Sequence, residues 1–162
     1  MVAAKDTIII GTDDILNKNK ERNIKNSNKW DYNCAGYALG TFSWYCPYEK
    51  DTRSFFDFII PPRLTEEEME KRTQNYIEQM LNDFDDLRII DNLRELHLNE
   101  YAIAFRVSSD DDFHYVKRTR SGLWYHKRGN TPFIERMKKS EVFSDCWCER
   151  YTGRLVLFAK KY

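Results

Sequence analysis

The chain has 162 residues, with 26 basic and 26 acidic side chains that cancel to a formal net charge of zero, and it is rich in tyrosine, phenylalanine and tryptophan. Balanced charge removes the phosphate-neutralising attraction behind most nucleic-acid binding, so no nucleic-acid partner is expected. The longest apolar runs, such as residues 8–10 and 155–159, are too short to span a bilayer, and no membrane is expected either.

A chain of this length buries a sizeable core as one domain over residues 1–162. Its first residues lack the basic-then-apolar pattern of a secretory signal, which predicts a cytoplasmic protein at synthesis, delivered elsewhere only by lysis or a secretion apparatus. The four cysteines are Cys34, Cys46, Cys146 and Cys148. A chain of this size without a signal needs no disulfide to fold. Cys146 and Cys148 are one residue closer than the usual metal-ligand spacing, and a structural zinc wants four ligands, so a site built from them and His97 is not expected. Neither metal nor cofactor is predicted.

Residues 7–11 read as a short strand closed by Gly11, Thr12 as the cap of a short helix through Leu16, and the Lys- and Asn-rich residues 17–29 as a loop. The polar run Asp31, Tyr32, Asn33 then turns abruptly into Cys34, Ala35, Gly36, Tyr37, Ala38 and Leu39. That pattern predicts a buried helix beginning near Cys34, apolar nearly all round and continuing past Phe42, with Gly36 allowing close approach of another backbone. Residues 55–60 form an apolar run cut off by Pro61 and Pro62, either an irregular docking segment or an edge strand.

Thr65 followed by Glu68 is a capping box, and Met69, Thr73, Tyr76, Ile77, Met80, Leu81 and Phe84 recur behind it at helical spacing. Residues 87–90 are a possible strand. Residues 101–107 alternate as a half-buried strand, with Ala102, Ala104 and Arg106 on one face. After a turn at Asp110, Asp111 and Asp112, residues 113–119 and 123–128 flank Arg120, Ser121 and Gly122 as a hairpin. A last strand is read over 154–159. Helices first and strands after predict an α+β fold with helices on one side of a small antiparallel sheet.

A cysteine at a helix N-terminus sits in the positive end of the peptide dipoles, which favours thiolate, the nucleophilic form. Only His97, His114 and His126 can serve it as base. His97 reads as a surface residue of a loop or short helix. His114 and His126 fall on the two strands of the hairpin, twelve positions apart, which brings both to one sheet face, where diagonal neighbours are roughly 7–8 Å apart. That face is expected to turn toward Cys34.

These residues carry a resemblance. The stretch from Asn33 to Tyr37 resembles the nucleophile segment of NlpC-type members of the papain-like superfamily. The run from His114 to His126 is similar to that family's catalytic hairpin, in which a histidine opens a strand, a glycine turn follows, and a second polar residue stands twelve positions on. The segment also resembles small bacterial and phage proteins of the same general type. The resemblance implies a papain-like fold with Cys34 as nucleophile, His114 as general base and His126 as third member. Asn28, six residues before the cysteine like the oxyanion glutamine of papain, is the side-chain candidate for the oxyanion hole beside the Cys34 amide. Asn130 is the other candidate for orienting an imidazole. The implied activity is cleavage of an amide bond in a peptide or protein substrate. The alternatives are acyl transfer by the same residues, or a non-catalytic scaffold that binds or inhibits a protein through aromatics such as Trp30, Tyr32, Trp44, Tyr45, Tyr48, Trp124 and Tyr125.

Overall fold

The computed structural model describes residues 31–47, 63–128 and 131–162. Within them, strands β1 (Leu87–Ile90), β2 (Glu100–Val107), β3 (Phe113–Arg118), β4 (Trp124–Lys127), β5 (Ile134–Met137) and β6 (Val156–Lys161) form one antiparallel sheet in the order β1-β6-β2-β3-β4-β5. The helices are α1 (Cys34–Leu39), α2 (Glu66–Asp83) and the single turn α3 (Lys139–Val142). The fold is α+β, as expected. The readings made over residues 7–29 and 55–62, together with Asn28, Asn130, Trp30 and Tyr48, lie outside the described residues.

The capping box forms as read: the Glu68 N–H donates to the Thr65 hydroxyl at 3.1 Å, and the Thr65 N–H donates to the Glu68 carboxylate at 2.9 Å. From there α2 buries Met69, Thr73, Tyr76, Ile77 and Met80 and stops at Asp83, with Phe84 as its cap. The period of its apolar residues predicted its buried face, except that Leu81, next to Met80, turns outward and is exposed.

The β2 residues alternate as expected, but the strand is not half-buried. All eight residues are buried, because the sheet is covered on both faces. Tyr101, Ile103, Phe105 and Val107 pack with Cys34, Ala38, Tyr76 and Met80 of α1 and α2. Ala102 and Ala104 pack on the other side with Trp124, Val142, Trp147 and Tyr151. The two longer helices do lie on one face; short helical turns and the 147–151 segment close the other. The last strand begins two residues later than expected. Gly153 first presses against β2, its N–H donating to the Val107 carbonyl at 2.9 Å, and the chain pairs only after that contact.

Helix α1 is shorter than its apolar run implied. Gly40, at φ 74°, ends it in the left-handed conformation, and Phe42 and Trp44 fall beyond it. The chain then doubles back so tightly that a Cβ on Gly36 would lie 2.0 Å from the Ser43 carbonyl oxygen. Asn33 locks this return: its side-chain oxygen accepts the Gly36 N–H at 3.0 Å, and its amide donates to the Tyr45 carbonyl at 2.7 Å. Gly36→Ala is expected to destabilise the fold by about 2 kcal/mol or more, because the obstacle is backbone rather than a movable side chain. An unchanged urea midpoint would contradict this packing.

Candidate active site

Cys34 is the first residue of α1, with Asn33 as its N-cap, and its side chain faces the sheet, as expected. The thiol accepts from the backbone N–H groups of Tyr115 and Ala35. Its ionisation runs against the expectation from the helix end. Burial pushes the thiol up to about 12, outweighing the two N–H groups, and the Asp112 carboxylate pushes the same way. A six-residue helix offers too little field to offset removal from water. Cys34 rests as a neutral thiol.

The two histidines meet as the hairpin spacing predicted. The β3–β4 ladder pairs Lys117 with Tyr125 and Arg118 with Trp124, and from that register His114 and His126 fall on one face. His114 Nε2 lies 2.7 Å from His126 Nδ1. One of these atoms must carry the shared proton and the other a lone pair, so both rings cannot be cations together. Burial depresses His114 well below the ordinary histidine range, with the His126 charge adding to it; burial, then Arg128, brings His126 to about 4.

Their face is a correction. Phe113 and Tyr115 point toward Cys34 and α2. The pleat therefore turns His114, between them, to the opposite side, where its ring packs edge-on to Trp147 at 6.1 Å and stacks on Tyr151 at 5.3 Å. Among the described residues no hydrogen bond joins Cys34 to either imidazole.

The thiol nevertheless reaches the same segment of β3. The β3–β4 ladder ends at Lys117, so the strands part toward His114. A strand N–H lies in the plane of its sheet, and the thiol that takes the Tyr115 N–H sits near that plane, one peptide unit from His114. Tyr151, stacked on the far side of the ring, lies close enough that a thiolate at Cys34 would oppose ionisation of its hydroxyl. Thiol and imidazole thus meet the same stretch of β3 from its two faces.

Tyr151 and Trp147 escaped the sequence reading. Cys146 and Cys148 stand out by their spacing, whereas the tryptophan between them carries the packing. Trp147 and Tyr151 bond to each other through both backbone N–H groups, at 3.1 and 2.9 Å. The turn between them holds Cys148 and Glu149 at φ 54° and 55°, a left-handed conformation that costs about 1–3 kcal/mol per residue. Arg150 then donates to the Tyr151 hydroxyl at 2.9 Å and to Asp112 at 2.8 Å, tying this turn to the start of β3. The supposed aromatic groove dissolves in part: Tyr32, Trp124 and Tyr125 are buried, while Trp44 is exposed. His97 is exposed at the surface, near Glu100. No described group of His, Cys, Asp and Glu could hold a metal ion, and no described helix is long and apolar enough to cross a membrane.

No family model, no curated protein and no solved structure matches this chain.

Two outcomes follow from the protonation states. In the unfolded chain each histidine gains its proton near pH 6.5, whereas in the native state His126 gains it only near 4. Between these values the unfolded chain holds more protons, so stability falls as pH drops. From pH 7 to pH 5 His126 alone removes about 2 kcal/mol, and His114 acts in the same direction. Urea unfolding at the two pH values checks this; equal midpoints would contradict it. Iodoacetamide at pH 7 should alkylate exposed Cys148 well before buried Cys34. Prior labelling of Cys34 would mean that its thiolate is populated.

Proposed function

We propose that the protein is a papain-like thiol hydrolase that cleaves an amide bond of a peptide or protein, with Cys34 as nucleophile, His114 as general base and His126 as third member. The observation that carries this reading is the 2.7 Å bond from His114 Nε2 to His126 Nδ1. It commits Nε2 of His114 and leaves Nδ1 as the ring nitrogen that can take the thiol proton.

A thiol pushed up to about 12 and a depressed imidazole do not form a resting ion pair. The reaction instead starts from neutral partners. Cys34 Sγ attacks the carbonyl carbon while its proton passes to His114 Nδ1, and the carbonyl electron pair moves onto oxygen. The Ala35 N–H, already pointed at the sulfur, is one donor near that oxygen. The same proton returns to the leaving amine, and water, deprotonated by His114, releases the acyl group.

The competing reading is a scaffold that binds a protein without turnover, and what favours it is the neutral, buried state of the thiol. An activated acyl ester such as p-nitrophenyl acetate separates the two. Cys34→Ala and His114→Ala should each lower ester turnover by about a thousandfold or more, with circular dichroism unchanged. Turnover that survives Cys34→Ala would remove the hydrolase reading and leave the scaffold.

A further inference from the structure

His126 has two faces, and only one is used by His114. Its Nδ1 is taken by the 2.7 Å bond. The residue is nine-tenths buried, yet it lines a cleft of about 500 Å³ on the second face of the sheet, beside Arg136, Met137, Ser140, Cys146 and Trp147. Its remaining nitrogen, Nε2, has no protein partner among the described residues.

We infer that this cleft is the proton port of the histidine pair, and that His126 passes protons between His114 and a solvent base in the cleft. The inference rests on the hydrolase reading for its purpose, but not for its geometry. At rest His114 carries its proton on Nε2 and accepts at Nδ1, while His126 accepts at Nδ1 and carries its proton on Nε2. When the Cys34 S–H bond breaks, its proton goes to His114 Nδ1. The His114 Nε2 proton crosses to His126 Nδ1, and the His126 Nε2 proton leaves to water or a buffer base in the cleft. Reversal of the three transfers delivers a proton to the leaving amine and restores both rings.

Each ring exchanges one proton for another, so neither becomes a cation. The surroundings require this, because burial and the charges of Arg128 and Arg150 oppose an imidazolium at this place. An orienting third member needs only a hydrogen-bond acceptor; a relay needs a second nitrogen open to solvent. His126 has that nitrogen, and the cleft brings the solvent.

The experiment has two arms on the full chain. In the first, His126→Asn keeps an acceptor for the His114 Nε2 proton but cannot relay, and His126→Ala opens space beside the cleft. Both should lower p-nitrophenyl acetate turnover about a hundredfold or more. Imidazole added to His126→Ala should restore it in proportion to concentration, and Ser140→Trp in the same variant should weaken that rescue by crowding the cleft. His126→Asn within about threefold of the wild type, or a folded His126→Ala that imidazole does not rescue, would overturn the relay.

The second arm needs no turnover. Diethyl pyrocarbonate ethoxycarbonylates an accessible imidazole nitrogen, releasing ethanol and carbon dioxide. Peptide mapping should find His126 modified before His114, and Ser140→Trp should slow it. His114 modified first, or His126 untouched after exposed His97 has reacted fully, would overturn the port. If Cys34-dependent turnover is absent in the wild type, the hydrolase reading fails, and this arm still decides the port. If His126→Ala does not fold, His126→Asn and this arm decide.

Discussion

A single proton held between two imidazoles constrains everything around it. The contact of 2.7 Å from His114 Nε2 to His126 Nδ1 is satisfied only while one ring donates and the other accepts. Charging both would set two N–H groups against each other inside the protein. The neighbours keep the pair neutral: Trp147 and Tyr151 exclude water from His114, and the guanidinium groups of Arg128 and Arg150 oppose a further positive charge. A neutral imidazole keeps a lone pair, and a lone pair is what a general base needs.

The rest of the fold brings the Cys34 sulfur to the same strand from the other side of the sheet. Three local devices do it. The Asn33 cap and the bare backbone at Gly36 let the chain fold back on α1, which fixes where the helix starts. The β3–β4 ladder is short, so a strand N–H at Tyr115 is left for the thiol. The turn before Tyr151 carries two residues in the left-handed region, strain retained where Tyr151 meets His114. Each device is modest in energy, yet together they hold Cys34 and His114 at one peptide unit of β3.

Much of this was legible in the sequence wherever a periodic pattern and a local cap agreed. Thr65 and Glu68 predicted α2 because capping is a contact between near neighbours. The alternation in β2 and the register of the hairpin followed from period two, and the meeting of His114 with His126 followed from that register. Two things were not legible. The face of His114 relative to Cys34 depends on which side of β3 receives α1, a long-range choice that no local pattern records. The ionisation of Cys34 depends on how deeply it is buried, and a helix start alone suggests the opposite sign. Trp147 and Tyr151 were missed for a related reason: their segment has neither helical nor strand period, and its role comes wholly from contacts made across the sheet.

The central claim is that His114 and His126 form a neutral, singly hydrogen-bonded pair at physiological pH. Nitrogen-15 NMR of the imidazoles across a pH series tests it directly, because the ring nitrogens of each tautomer and of the cation have distinct shifts. The account predicts that at pH 6 both rings are neutral, with coupling across the Nε2–Nδ1 bond, and that His126 titrates only near 4. A cationic ring at pH 6, or two rings that titrate independently near 6.5, would contradict it.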